Sequence, residues 1–328
     1  MKLLEKSATG ASYPRIGIGC GQMLYEDSDI RKSSIETVHA AMDAGVSFFD
    51  TGTFYQFGES EQVLREALKG YPRDSYYLAV KFGHPANKTI GKEGDEPPSI
   101  DVSPKAVRDS LALTLKRLNV DYIDLFEPCG LDPVYPMEET LGAMADLVKV
   151  GYVRHIGMSM INSDELRRAY CVHPISAVEY EYSIMSRDIE KSVLGTTKDL
   201  GVSIVSFANL ARGLLGGTWS LEKLKEMAQG RFRKKFPDGD VSKVYNCVER
   251  LTEFAAYKGL TAAQLAVAWV LNRSDNIMCL SGSIHAGRML DMLKCADVEF
   301  TTEDLEEIDS LIPEELRMGL FLRSDVQL

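Results

Sequence analysis

Asp50, Tyr55 and Lys81 are the residues whose types and spacing suit proton transfer. Asp50 ends a short apolar run, Val46 to Phe49, and Lys81 ends a second, Tyr76 to Val80. Tyr55 lies on the loop of small and aromatic residues after the first run, and a segment of helical period, Glu59 to Lys69, separates that loop from the second. Strand, loop, helix and strand make a βαβ unit, with parallel strands and a crossover helix. Asp50 and Lys81 then sit at the same, C-terminal, ends of adjacent strands with Tyr55 just above, where ligands and chemistry gather in parallel α/β folds. A free phenol, with a pKa of about 10, is a poor acid near neutrality. A neighbouring ammonium favours the phenolate and lowers that pKa. Lys81 is placed to do this, and Asp50 to keep Lys81 charged. Alone, Asp50 and Lys81 fit a structural ion pair equally well; Tyr55 at this spacing turns the balance toward a site.

The elements around this unit alternate. Arg15 to Gly19, Tyr122 to Phe126, Val153 to Met158, Ile175 to Tyr180, Val202 to Phe207 and Ile277 to Leu280 read as further strands. Helical periods cover 32–44, 103–118, 137–148, 163–170, 188–200, 261–271 and 288–294, several closed by glycine. Ser103 and Pro104 make a helix start, with Ser as cap and Pro at the first position. The strand runs carry few charges, as strands covered on both faces do. About eight βα units in one chain predict a single α/β domain over 1–328, a (β/α)8 TIM barrel with long substrate loops and a C-terminal tail. The additions are a polar loop, 84–100, a long insertion, 210–241, and the tail, 313–328. Gly17, Gly19 and Gly21 resemble part of a dinucleotide-binding turn, but the last glycine is missing and no helix opens after them. They predict close packing or a tight bend instead, and a doubly wound open sheet is the less suitable arrangement.

Composition narrows the partners. The 328 residues carry a formal charge of −11, opposite in sign to a nucleic-acid footprint. The short cluster Arg231, Arg233, Lys234, Lys235 reads as a solvated loop. No apolar run reaches the length of about 18 residues expected of a membrane span, and the first residues lack the apolar core of a secretion signal. Six cysteines stand singly, without ligand spacing, which predicts reduced thiols, no metal site and a cytoplasmic protein.

From Gly45 to Gly83 the chain resembles the aldo-keto reductase signature: GVSFFDT, then Tyr55, Gly58 and Glu61, then Lys81-Phe82-Gly83. The likeness continues through LKRLNVDYIDLF (115–126), PMEETLGAMADLVKVGYVRHIGMS (136–159) and ISAVEYEYS (175–183), and resumes in LTAAQLAVAWVL (260–271) and SGS (281–283). The resemblance implies a nicotinamide cofactor, usually NADPH, across the barrel mouth, and hydride transfer to the carbonyl carbon of a small molecule. Tyr55 is then the proton donor, supported by Lys81 and Asp50. It also implies cofactor contacts at Ser159, Glu179, Phe207, Arg212, Ser283 and Arg288.

The chain departs from the family pattern in instructive places. The histidine expected after the fourth strand is Cys129, a weak donor and a smaller side chain. Glu127 and His84 are the candidates to take over its role. The glutamine expected to meet the carboxamide is Glu179. The basic residues expected after Ser283 are Ile284 and His285, and the asparagine expected at the adenine is Met292. Fewer cations near Ser283 leave Arg288 to favour NADP(H), with NAD(H) as the alternative. Three functions stay open: carbonyl reduction, reduction of a carbon–carbon double bond conjugated to a carbonyl, and nucleotide sensing with little turnover. Trp219, Phe232, Phe236 and Phe321 are candidates to line an apolar pocket or to pack within loops. The substrate and the oligomeric state are not written in these patterns.

Overall fold

A computed structural model describes residues 4, 7–84, 100–132, 134–229 and 241–317. Its strands are β1 (Ile16–Gly19), β2 (Phe48–Gly52), β3 (Tyr77–Phe82), β4 (Ile123–Pro128), β5 (Val153–Ser159), β6 (Ile175–Glu181), β7 (Ser203–Phe207) and β8 (Ile277–Ser281). They pair in parallel in chain order, and β8 returns to β1 to close the barrel. This is the expected (β/α)8 barrel. The loop residues 85–99, the cluster Arg231, Arg233, Lys234, Lys235, the aromatics Phe232, Phe236 and Phe321, and the tail beyond 317 lie outside the described residues.

Two cores hold the barrel. Between strands and helices runs a continuous apolar layer that includes Ile18, Phe49, Val80, Phe126, Ile156 and Trp269. Inside the barrel a smaller cluster joins Tyr13, Phe48, Ala79, Leu125, Ala177, Val205 and Met278. Tyr13 meets Phe48 and Tyr77 edge-on, at 5.6 and 5.3 Å between ring centroids. It stands on a segment that doubles back before β1, with Leu4 N–H donating to Tyr13 O and Ser7 N–H to Ala11 O, each at 2.7 Å. This turned-back segment closes the N-terminal end of the barrel. A β-carbon on Gly17 would stand 2.8 Å from side-chain atoms of both Met278 and Phe48, so close packing explains that glycine.

Strands run past the apolar stretches that announce them. Asp50 and Lys81 lie within β2 and β3, and Glu127 lies within β4. The reason is pairing: backbone bonds continue wherever a polar side chain finds a counter-charge or a proton inside the barrel. The helix expected from residue 32 begins at Ser28, because the Asp27 carboxylate caps the N–H groups of Asp29 and Ile30. The helix expected over 188–200 breaks at Val193 into Asp188–Ser192 and Leu194–Leu200. Three helices went unpredicted: Leu221–Gln229, Val241–Tyr257 and Thr302–Leu311. The second shows its buried face at Val244, Val248, Leu251 and Phe254, a clean helical period. No single helix among the described residues is long and apolar enough to cross a membrane.

Candidate active site

The register of neighbouring strands sets Lys81 opposite Gly52 on one side and Glu127 on the other, and sets Glu179 opposite Ser159. The Lys81 ammonium, inside the barrel, donates to Asp50 Oδ1 at 2.7 Å, Asp50 Oδ2 at 2.6 Å and Glu179 Oε2 at 2.8 Å. An ammonium has three N–H groups, and these three contacts match them. Burial alone would depress the Lys81 pKa; Asp50 and Glu179 outweigh it and hold the group charged well above its usual range. The same burial, and the proximity of Glu179, push Asp50 upward, with Lys81 pulling it back.

Tyr55 sits on the turn after β2, half-buried, with its ring centroid 5.2 Å from Lys81 Nζ. Gly21 lies against that ring, where a β-carbon would stand 3.4 Å from it, an ordinary contact. Lys81 does lower the phenol pKa, as expected, but the net shift is upward. Burial is the chief cause, and Asp50 and Glu179 add to it against the pull of Lys81. The phenol therefore keeps its proton, as an acid awaiting an acceptor must.

The turn that presents Tyr55 is strained and clamped. Gln56, Phe57 and Gly58 follow with φ of 48°, 57° and 92°, a left-handed run that costs of the order of 1–3 kcal/mol at each non-glycine position. Arg117, on the helix Pro104–Leu118, donates to Thr53 O at 3.1 Å, Phe57 O at 3.2 Å and Glu61 Oε2 at 3.0 Å. Thr114 on the same helix donates to Glu61 Oε1 at 2.6 Å. A β-carbon on Gly58 would fall 2.3 Å from the Arg117 guanidinium carbon. Gly58 and Glu61 thus serve the tyrosine turn through Arg117, whose role sequence reasoning missed: a basic residue in an exposed-looking helix carries no mark of a partner more than fifty residues upstream.

The candidates for the missing histidine separate. Cys129 follows β4 at the C-terminal end of the barrel, half-buried, with its N–H on Phe82 O at 2.8 Å. A β-carbon on Gly83 would lie 3.1 Å from its sulfur. His84 is half-buried at the end of β3, edge-on to Phe54 at 4.9 Å, and Phe54 is edge-on to Tyr55 at 5.0 Å. Burial lowers the His84 pKa and keeps its ring neutral. Glu127 is wholly buried beside Lys81 in the strand register, with both carboxyl oxygens sealed from solvent.

The expected cofactor contacts collect at the C-terminal ends of β5 to β8. Ser159 ends β5, buried, and Phe207 ends β7, half-buried. Arg212 lies in the turn Ala211–Gly216 with φ of 59°. After β8, Ser283 Oγ accepts the His285 N–H at 3.1 Å, and the helix Ala286–Leu293 starts with no side-chain cap. Arg288, in its first turn, is exposed and has no ion-pair partner among the described residues. Open helix N–H groups beside a free guanidinium suit a phosphate, so these residues fit the charged end of a dinucleotide. Met292 is buried against the core. Glu179 differs from expectation in that its carboxylate is engaged by Lys81.

A family model, "Aldo/keto reductase family", matches residues 15–313. A probable aldo-keto reductase of Glycine max is 33% identical over 306 residues, covering 93% of this chain and 87% of that protein. The structure of a glycerol dehydrogenase from Gluconobacter oxydans superposes with a TM-score of 0.82 at 23% identity, covering 94% of each chain. An aldo/keto reductase from Klebsiella pneumoniae, solved with NADP and acetate, gives a TM-score of 0.74 at 22% identity, covering 95% of each. The chain belongs to the aldo-keto reductase family. It is an NAD(P)H-dependent oxidoreductase.

Proposed function

We propose that the enzyme reduces the carbonyl group of a small molecule, with NADPH as cofactor and Tyr55 as proton donor. The observation that carries this reading is the Tyr55 phenol beside Lys81, whose ammonium is locked by Asp50 and Glu179. When bound, the nicotinamide supplies hydride. Ser159 and Phe207 would hold its ring end, with Arg212 beside them, and Ser283 and Arg288 would hold its phosphate end. Tyr55 hydrogen-bonds the carbonyl oxygen, polarises it, and gives up its proton as charge develops there. Lys81 stabilises the phenolate left behind, and Asp50 with Glu179 keeps the ammonium in place. Arg117 and Gly58 fix the turn so that the phenol does not have to be ordered at each turnover.

The test is a panel of aldehydes, ketones and enones with NADPH, on the native protein and on Tyr55→Phe. The expected result is carbonyl reduction that falls about 10²–10⁴-fold in the variant, with cofactor affinity nearly unchanged. Equal turnover in both proteins overturns the role of Tyr55. Turnover of enones at the double bond alone overturns the carbonyl assignment, and binding without turnover overturns both.

A further inference from the structure

Three carboxyl groups share one ammonium inside the barrel. Oxygens of Asp50, Glu127 and Glu179 lie within 4.8 Å of one another. Lys81 spends its three N–H groups on Asp50 and Glu179. Neither oxygen of Glu127 has a hydrogen-bond donor, and both are sealed from solvent. An ionised carboxylate there would add a third buried negative charge beside an ammonium whose N–H groups are already taken, a costly arrangement. The Gly157 backbone lies against it: a β-carbon there would stand 2.6 Å from Oε2.

We propose that Glu127 is a neutral carboxylic acid whose proton is shared with the Glu179 carboxylate, making Glu127 a positioning residue that sets the charge around Lys81. Two carboxyl groups at close range keep one proton between them because both cannot ionise. Glu179 is the hydrogen-bonding neighbour of Glu127, and burial, then Glu179 and Asp50, favour the protonated form over the opposing pull of Lys81. The phenols that also feel Glu127 are Tyr13, buried, and Tyr77, half-buried, both held protonated. On β5, His155 faces Leu125, the inward position below Glu127, and burial lowers its pKa. No cation other than Lys81 therefore competes for the Glu127 oxygens among these groups.

The proton has a consequence for turnover, and this step rests on the reading of Tyr55 and Lys81 above. With Glu127 neutral, one ammonium faces two carboxylates. If Glu127 loses its proton, a third negative charge faces Lys81 and draws the ammonium deeper, and the phenol holds its proton more tightly. No bond other than O–H changes, and the proton passes to solvent. Loss of this proton then sets the alkaline limit of activity, before Lys81 or Tyr55 titrates, because those two are shifted far upward.

The test combines infrared spectroscopy of the protein alone with pH profiles of kcat. The native protein near neutral pH should show the carbonyl stretch of a protonated carboxylic acid in an apolar setting. Glu127→Gln should remove the Glu127 part of that band, leaving any part from Asp50, and move the alkaline fall of kcat to higher pH, since the amide keeps a donor for Glu179 and cannot ionise. Glu127→Leu, which removes the donor, should lower kcat about tenfold with little change in the KM for cofactor. Absence of the band in the native protein overturns the proposal without any variant, and so does a band whose intensity Glu127→Gln leaves unchanged. Should Glu127→Gln not fold, Glu179→Gln serves instead: the band should persist but titrate away at lower pH, and an unchanged midpoint overturns the sharing. Tyr55→Phe should leave the band intact, so failure of the Tyr55 assignment is read separately, from its activity.

Discussion

The backbone of Gly157 lies against the carboxyl of Glu127, where a β-carbon would come within 2.6 Å of Oε2 and 3.2 Å of Glu127 Cβ. β5 thus gives up a side chain to make room for an acid on β4. Gly157→Ala has no backbone reason to fail and a packing reason to fail. It should destabilise by about 1–3 kcal/mol, the range for an added methyl in a full core. Chemical denaturation of both proteins checks this; an unchanged midpoint would mean that Glu127 has room to move.

Stability should fall as pH rises, and Glu127 should be one source. Its pKa is raised on folding, so between the free carboxylate value, about 4.3, and the folded value the native state holds a proton that the unfolded chain has released. The contribution is complete below that window and is lost through it. Glu127→Gln should flatten the slope by up to one proton, roughly 1.4 kcal/mol per pH unit. Urea midpoints measured across the range decide it, and parallel curves for the two proteins would place the proton elsewhere.

Arg117→Ala should cost more than the loss of one surface arginine. It leaves the buried Glu61 carboxylate with only Thr114 as donor and releases the carbonyls of Thr53 and Phe57. Breaking a buried ion pair from one side costs about 3–5 kcal/mol. The expected outcome is a lower melting temperature together with a lower kcat, because the left-handed turn under Tyr55 loses its clamp. Full activity in the folded variant would show that the turn holds itself.

Arg288→Ala should weaken NADPH more than NADH. Arg288 is exposed at the open start of its helix, and Ile284 and His285 occupy the neighbouring positions. Titration of each cofactor measures the difference, and equal losses would move the 2′-phosphate to another cation.

Cys129→His should change which carbonyls react. Cys129 stands beside Gly83 at the C-terminal end of β4, and a histidine would restore a second donor while filling space. The kcat/KM for a small aldehyde relative to a bulky enone should rise by about ten- to a hundredfold, the worth of one buried donor. A ratio that stays fixed makes Cys129 a space-filler.

The order of strands, the meeting of Asp50 with Lys81 and the position of Tyr55 were legible because each rests on a local regularity. Apolar runs end where strands reach the mouth, and parallel strands bring like ends together. The cofactor positions were legible only through family motifs. Three features were decided by the closed barrel alone. Glu127 reads as a strand-end acid near the mouth, but its register with Lys81 and the bare Gly157 place it inside, sealed from solvent beside two other carboxyls. Glu179 reads as a cofactor contact, but closure brings it to Lys81 from the far side of the barrel. Arg117 reads as a solvated helix residue, but packing of its helix beside Glu59–Ala67 sets it under the tyrosine turn. A sequence displays which residues a strand or helix carries. Which charges face one another across a closed sheet depends on stagger and closure, and that geometry exists only once all eight strands have paired.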